Sequence, residues 1–99
     1  RNSSIAARFS TVPPGIQDKL ASKHRVEVDE VRQTLLNQPQ IRFAEKGHTP
    51  GEDVYAAMGQ TFGGRYLIVF FVFKHSTRIA VVISGRDMTH KEKKQYGKK

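Results

Sequence analysis

The chain of 99 residues contains no cysteine, so neither a disulfide framework nor a thiolate metal site can form. It also lacks a long apolar run, because the longest, residues 66–73, has eight residues against the roughly 20 that a membrane-spanning helix needs. No charged start followed by an apolar stretch indicates a signal peptide. We therefore expect no membrane segment and a cytoplasmic location, and the absence of cysteine fits a reducing compartment.

Acidic residues are scarce, with 9 Asp+Glu against 17 Lys+Arg and a formal net charge of +8. A field of this sign attracts polyanions such as RNA, DNA, an acidic partner protein or an anionic membrane surface. With 37% hydrophobic residues, the chain can bury one modest core and not two. We predict a single domain over residues 13–99, and we interpret residues 1–12, which show little pattern, as a tag remnant or a disordered end.

Two helices are predicted in the first half of the chain. The segment "VPPGIQDKLASKHRV" opens with a proline pair and places Ile16 and Leu20 one turn apart, which is typical of a short helix ending near His24. The segment "VDEVRQTLLNQP" carries an apolar stripe at helical spacing and stops before Pro39. Both helices are expected to cover one face of a sheet.

The second half of the chain has the pattern of an antiparallel sheet. A hairpin signal, Phe62-Gly63-Gly64, and a second turn at residues 75–76 separate extended segments. The predicted strands are residues 40–45, 54–61, 65–73 and 77–84. The fold class is therefore α+β, with two N-terminal helices, an antiparallel sheet of three to four strands and a short C-terminal helix. Because no further apolar helix is available, we expect one sheet face to stay partly open, with basic rims.

The stretch "ISGRDMTHKEKKQY", residues 83–96, concentrates positive charge. Thr89 followed by Glu92 has the spacing of a capping box, which predicts a helix from about His90. Residues 86–99 hold six cations and two anions, a net charge of +4. Two interpretations stay open for Lys91 and Lys94: a solvated terminal helix, or the edge of a site that holds phosphate.

Two arginines form a second candidate site. Arg78 and Arg86 lie on a strand whose other residues are mostly apolar, an even number of positions apart, and so on one face unless a bulge intervenes at Gly85. Together with Ser84 they would hold a phosphate through bidentate donors. The alternative is that rim arginines only keep a sheet edge soluble.

The sequence resembles the BrnT family of toxins from bacterial type II toxin–antitoxin systems. The resemblance rests on Lys23-His24 at the end of the first helix, on Gly64-Arg65 at the start of the central strand, and on the closing segment "RIAVVISGRDMTHKEKKQY", residues 78–96. It covers about residues 15–96. The chain departs from the family pattern where an F-x-W-D opening strand is expected, with "RFSTV" as the only stand-in, and at three positions: Arg25 for glycine, Gly85 for alanine and Lys93 for arginine.

The resemblance implies a RelE-like fold and RNA cleavage without a metal or any other cofactor. In such enzymes the 2′-hydroxyl attacks its own phosphate and leaves a cyclic phosphate and a 5′-hydroxyl. The reaction needs a base, cations that stabilise phosphoryl charge and an acid for the leaving oxygen. The implied catalytic residues are His24, Arg65, Arg78, Arg86 and Tyr96, and the implied RNA-binding residues are Ser84, Lys91 and Lys94.

Two of these assignments have structural alternatives. Histidine is the side chain whose ordinary pKa, about 6.5, suits proton transfer near neutrality, but His24 can also serve only to cap the carbonyls at its helix end. Tyr96 can stack on a base or donate a proton, or it can simply pack the terminal helix on the sheet. The four histidines of the chain lack metal-ligand spacing, so we predict no metal site.

The resemblance also implies partners. We expect an RNA substrate and a ribbon-helix-helix antitoxin similar to BrnA, which would cover the basic face, and a toxin–antitoxin heterotetramer is one assembly that fits. The predicted function is an endoribonuclease toxin that inhibits translation. Two alternatives stay open: a non-catalytic basic module that binds nucleic acid or the antitoxin, and an inhibitor of gyrase like the related ParE toxins.

Overall fold

A computed structural model of the protein describes residues 10–47, 49–74 and 76–97. In chain order the elements are β1 (Ser10–Thr11), α1 (Pro14–His24), α2 (Val28–Leu36), β2 (Gln40–Glu45), β3 (Val54–Gln60), β4 (Tyr66–Lys74), β5 (Ile79–Asp87) and α3 (His90–Gly97). The strands form one sheet in the order β1-β5-β4-β3-β2. Strands β2 to β5 are an antiparallel meander, which confirms the predicted α+β architecture.

The sequence did not predict β1, which lies before residue 13. Ser10 and Thr11 pair in parallel with Ala80 and Val81, and Val12 is 7% exposed within the core. Ser10 and Thr11 thus pair with β5 and Val12 is buried, within the residues 1–12 that were interpreted as a tag remnant or a disordered end. Residues 1–9, the rest of that predicted end, lie outside the described residues, as does His75 of the second predicted turn.

Local signals explain where the helices begin and end. Pro14 occupies the first turn of α1, where its missing N–H costs no hydrogen bond, and Arg25 ends the helix in the left-handed region at φ 52°. At the start of α2, the Glu30 carboxylate accepts a hydrogen bond of 3.0 Å from the Glu27 N–H in a capping box. None of the helices within residues 10–47, 49–74 and 76–97 is long and apolar enough to cross a bilayer.

The sheet separates two apolar clusters. Helices α1 and α2 bury Leu20, Val31 and Leu35 against one face, which we call the α1/α2 face; its sheet residues include Leu67, Val69, Phe71, Ala80 and Val82. On the opposite face, which we call the α3 face, Tyr96 of α3 packs with the smaller cluster of Ala56, Met58, Ile68 and Met88. The second face is thus covered by one short helix, as the scarcity of apolar helices predicted.

A β-bulge in β5 decides which of its side chains lie on which face. Phe71 pairs with Val82 but Phe70 pairs with Ser84, so Ile83 is the extra residue. Side chains of residues that are directly opposite in a ladder point to the same side of the sheet. Ser84 pairs with Phe70 and Arg86 pairs with Ile68, so both lie on the α3 side of β5. The predicted bulge is therefore present, two residues before Gly85.

Candidate functional site

Two of the predicted site residues, His24 and Ser84, line the same groove. The groove lies between α1 and the C-terminal half of β5, has a volume of about 180 Å³, and is lined by Ile16, Lys19, Leu20, Lys23, His24, Ile83 and Ser84. Within the described part of the chain, β1 pairs with β5 only at Ala80 and Val81. The later part of β5 therefore meets α1 across the groove, with no strand of residues 10–97 described between them.

The charged side chains that line this basic groove are positive. Lys19 and Lys23 are one turn apart on α1, so both lie on the side of the helix that faces the groove. Lys23 and His24 occupy the last turn of α1, where cations also compensate the negative end of the helix dipole. Ser84 contributes to the wall of the groove from β5, while its side chain lies on the α3 side of that strand. This set of cations suits an anionic ligand, and a phosphodiester is one.

Arg65 lies behind the groove and holds the end of α1 in place. Its guanidinium donates to the His24 carbonyl at 3.2 Å and to the Arg25 carbonyl at 2.8 Å. It also donates to both oxygens of Asp87, at 2.7 and 3.0 Å, and to Glu30 at 3.0 Å. These contacts join α1, α2 and β5 to the start of β4. The hydrogen bonds of Arg65 are thus made to protein groups. Its geometry suits a role in positioning His24 rather than direct contact with substrate.

The ion pairs of Arg65 shift the pKa values of both Arg65 and Asp87. The hydrogen bonds that Arg65 donates to Asp87, and to a lesser degree those that it donates to Glu30, raise the pKa of Arg65 above its ordinary value although burial opposes them. The Arg65 guanidinium in turn lowers the pKa of Asp87, and the positive charges of Lys93 and His24 act in the same direction. His24 is therefore near a carboxylate that stays ionised at neutral pH.

Arg86 also has an acidic partner, on the other side of the sheet from the α1/α2 core. Its two terminal nitrogens donate to the two Glu92 oxygens at 2.8 and 2.9 Å, and its guanidinium carbon lies 5.7 Å from the centre of the Phe70 ring. The Arg86 hydrogen bonds, helped by the backbone N–H and hydroxyl of Thr89, lower the pKa of Glu92 to about 2. Arg86 can bind a phosphate only if the phosphate displaces the Glu92 carboxylate.

The prediction that Arg78 and Arg86 share a face and converge on one phosphate is wrong. Arg78 precedes β5, in an exposed turn with φ 58°, whereas Arg86 is near the other end of that strand. At about 3.3 Å per residue, eight positions of strand separate their Cα atoms by roughly 25 Å. The even spacing assumed an uninterrupted strand, and the turn and the bulge at Ile83 break it.

The remaining predicted residues lie on α3. Thr89 and Glu92 form the predicted capping box, with the Thr89 N–H donating to Glu92 at 2.8 Å and the Glu92 N–H donating to the Thr89 hydroxyl at 3.1 Å. Tyr96 is 8% exposed, packed in the cluster of the α3 face, so the geometry favours its structural alternative. Lys91 and Lys94 are exposed on the same helix and are free to track a polyanion.

Sequence reasoning did not single out three residues that matter at this site: Lys19, Glu30 and Asp87. The spacing of Lys19 and Lys23 on α1 is a local signal for the first of them. The pairing of Glu30 and Asp87 with Arg65 spans 35 and 22 positions, and no local pattern indicates it. In residues 10–47, 49–74 and 76–97, no three His, Asp or Glu side chains are grouped as metal ligands.

The fold and the basic groove define a small α+β protein of net charge +8 with a positively charged concave surface. A family model described as "Ribonuclease toxin, BrnT, of type II toxin-antitoxin system" matches residues 16–92, which is most of the chain. The chain therefore belongs to the BrnT family of ribonuclease toxins, as the resemblance indicated. The matched region includes His24, Arg65, Ser84 and Arg86 and ends before Tyr96. A search of curated proteins found no match.

Proposed function

We propose that this protein is an endoribonuclease toxin that acts in the cytoplasm, cleaves RNA without a metal ion and thereby inhibits translation. Support comes from the family match over residues 16–92 and from the basic groove, where Lys19, Lys23, His24 and Ser84 meet in a chain of net charge +8. The groove carries the proposal, because it brings a proton-transfer group, His24, and two cations, Lys19 and Lys23, to one concave surface.

In the proposed reaction, the 2′-hydroxyl of the RNA attacks the adjacent phosphorus and gives up its proton. The P–O5′ bond breaks, and the leaving 5′-oxygen takes a proton, so the products are a 2′,3′-cyclic phosphate and a 5′-hydroxyl. His24 serves as the proton-transfer group at the groove. Lys19 and Lys23 stabilise the additional negative charge of the phosphoryl oxygens.

The arginines have different roles in this proposal from those first predicted. Arg65 positions His24 by binding the carbonyls at the end of α1, at 2.8 and 3.2 Å. Arg86 anchors the first turn of α3 through Glu92, and it contacts RNA only if a phosphate displaces that carboxylate. Arg78 lies six positions before Ser84, roughly 20 Å away along the strand at about 3.3 Å per residue, and takes no part in the chemistry.

The proposed partner is a ribbon-helix-helix antitoxin similar to BrnA, bound in a toxin–antitoxin heterotetramer. Type II systems, to which the family belongs, pair a toxin with a protein antitoxin, and the positive charge of the groove suits a partner with an acidic segment. Co-expression with the neighbouring reading frame, followed by light scattering on the purified complex, tests both the partner and the stoichiometry. A neighbouring product that neither co-purifies nor relieves growth arrest would contradict this part.

The decisive experiment is RNA cleavage in the presence of a chelator, with the product ends analysed by mass spectrometry. Wild type should cut and leave a 2′,3′-cyclic phosphate. His24→Ala should lose about 10²- to 10⁴-fold in rate, the range for a general acid–base group. Arg78→Ala is the matched control, since it removes an exposed cation distant from the groove, and it should retain full activity. Cleavage that is unaffected by His24→Ala would exclude the assigned role.

A non-catalytic binding module is the second candidate, and one observation favours it. Both Arg65 and Arg86 are already paired with carboxylates, which leaves fewer free guanidinium groups than RNA cleavage by arginine clamps would need. RNA or antitoxin binding without cleavage, together with normal growth on expression, would support the module. For the ParE-like inhibition of gyrase, the BrnT match offers no support.

A further inference from the structure

Tyr66 is the aromatic side chain that the structure leaves accessible on the α3 face of β4. Its residue is 37% exposed, although it opens a strand whose next three residues are buried. Its ladder partner Gln60 lies on the same side of the sheet, beside the loop that carries Arg65. The residue before it in the chain, Arg65, contacts the carbonyl of His24, which lines the basic groove.

The ring of Tyr66 is held by a rigid support. Tyr96 meets it edge to face, with ring centres 6.1 Å apart and an interplanar angle of 78°. Tyr96 is itself 8% exposed and packed among Met58, Ile68 and Met88. The Tyr66 ring therefore needs little ordering when a flat ligand approaches, which lowers the entropic cost of binding.

A cation accompanies the ring. The Lys93 ammonium lies 5.5 Å from the centre of the Tyr66 ring, which is within the range of a cation–π contact. Lys93 belongs to the exposed side of α3, where Lys91 and Lys94 add positive charge. An aromatic surface with adjoining cations is the combination that proteins use for single-stranded nucleic acid: bases stack on the ring, and the cations bind the phosphates between them.

We propose that Tyr66 and Lys93 form a nucleobase subsite that selects unpaired RNA. The inference rests on the proposed ribonuclease function and adds to it the class of substrate. In duplex RNA the bases are stacked on each other and cannot reach the Tyr66 ring, whereas an unpaired base can. The subsite makes unpaired RNA the preferred substrate without any hydrogen-bond readout of base identity.

The subsite lies on the α3 face, and Arg65 connects it to His24 of the basic groove. Tyr66 follows Arg65, whose guanidinium contacts the carbonyl of His24 at 3.2 Å. The Tyr66 carbonyl accepts a hydrogen bond of 3.1 Å from the Met88 N–H, one residue after Asp87, which pairs with Arg65. A strand that crosses this end of the sheet can place one base on Tyr66 while its backbone reaches the groove.

The test measures the affinity for short oligonucleotides by fluorescence anisotropy. The probes are a 2′-O-methyl single strand, which lacks the attacking hydroxyl and stays uncut, the same backbone with abasic sites, and a duplex of equal length. Wild type should prefer the single strand to both others. Tyr66→Ala should weaken single-strand binding roughly 5- to 100-fold, the range for one stacked base, and should leave abasic binding unchanged.

Four further variants separate stacking from structure. Tyr66→Phe keeps the ring and should bind like wild type, whereas Tyr66→Leu keeps apolar packing without the ring and should match Tyr66→Ala. Phe43→Ala removes an aromatic residue that is 57% exposed and packs against Tyr55 on the α1/α2 side, and it should change nothing. Lys93→Ala should weaken single-strand and abasic binding alike and reduce the salt dependence.

The outcomes distinguish this inference from the proposed function. If Tyr66→Ala keeps the single-strand preference, or loses single-strand and abasic binding equally, the subsite is refuted even when wild type cleaves RNA. If wild type does not cleave RNA but binds single strands in a Tyr66-dependent way, the subsite stands and the ribonuclease proposal fails. Equal binding of single strand, abasic strand and duplex by wild type overturns the subsite as well.

Discussion

The removal of Arg65 should destabilise this protein more than the removal of any other arginine considered above. The guanidinium makes six hydrogen-bond contacts of 2.7–3.2 Å, to the carboxylates of Asp87 and Glu30 and to the carbonyls of His24 and Arg25. In Arg65→Ala both carboxylates lose their guanidinium partner, and the carbonyls at the end of α1 lose theirs. The contact that joins two helices to the sheet is then gone.

The size of the effect follows from the exposure of the partners. Hydrogen bonds to charged groups contribute about 1.5–3 kcal/mol each, whereas fully exposed ion pairs contribute at most about 1 kcal/mol. The Arg65 side chain is 28% exposed, Glu30 26% and Asp87 61%, so the Asp87 contacts are worth the least. We expect a loss of about 2–4 kcal/mol from a domain whose total stability is of the order of 5–15 kcal/mol. At about 4–8 °C per kcal/mol, Tm falls by roughly 8–32 °C.

Thermal melts followed by circular dichroism, with urea denaturation for the free energy of unfolding, measure this loss. Arg78→Ala is the matched control, since it deletes an exposed arginine in a turn, and its Tm should stay within about 2 °C of wild type. Arg65→Lys keeps the charge but not the planar fork, and it should lose more than half of the stabilisation. A Tm for Arg65→Ala that equals the Tm of Arg78→Ala would refute the claim that the Arg65 hydrogen bonds stabilise the packing of α1 and α2 on the sheet.

Three further predictions concern stability. Because Arg86 lowers the folded pKa of Glu92 to about 2, Glu92 stabilises the fold fully above about pH 4.5 and progressively less down to pH 2. Glu92→Gln should therefore lower the free energy of unfolding at pH 7 by about 1–2 kcal/mol, a value reduced for screening by solvent. The difference in urea midpoint between wild type and Glu92→Gln should vanish near pH 2. A difference that does not change with pH would contradict the Arg86–Glu92 ion pair. Arg25→Gly relieves a left-handed φ of 52° and should raise stability by about 0.5–1 kcal/mol in the same assay, whereas an unchanged or lower midpoint would count against strain there. Gly59→Ala would place a Cβ 3.2 Å from the Thr34 methyl carbon and should lower the free energy of unfolding by about 1–3 kcal/mol. A Tm equal to that of wild type would show that α2 shifts to accommodate the Cβ.

The elements of the fold could be predicted because their signals are local. Pro14 near the start of α1, the capping box of Thr89 and Glu92, and the glycine turn before β4 are each contained within a few neighbouring residues. Short-range hydrogen bonds and backbone preferences act through the same few residues, so they can be recognised in the sequence. The two-residue strand β1 could not, because it depends on pairing with Ala80 and Val81, about 70 positions away.

Only part of the candidate site could be predicted, because the positions of its side chains depend on contacts between residues that are far apart in the chain. His24 and Ser84 were predicted as site residues and both line the basic groove, but the expected convergence of Arg78 and Arg86 assumed a regular strand. One bulge changes the face of every later side chain, and the sequence indicated only that a bulge was possible at Gly85.

By itself, the sequence determined the two helices and the meander, the large positive charge and the membership in the BrnT family, since all of these depend on composition and on patterns along the chain. Which cations are free was decided by the tertiary structure alone. Arg65 meets Glu30 and Asp87 only after α2 and β5 have packed beside it, whereas Lys19 and Lys23 line a groove with no acid among its lining residues. Electrostatic attraction acts over a few ångströms in space, and distance in space between residues far apart in the chain is set by packing.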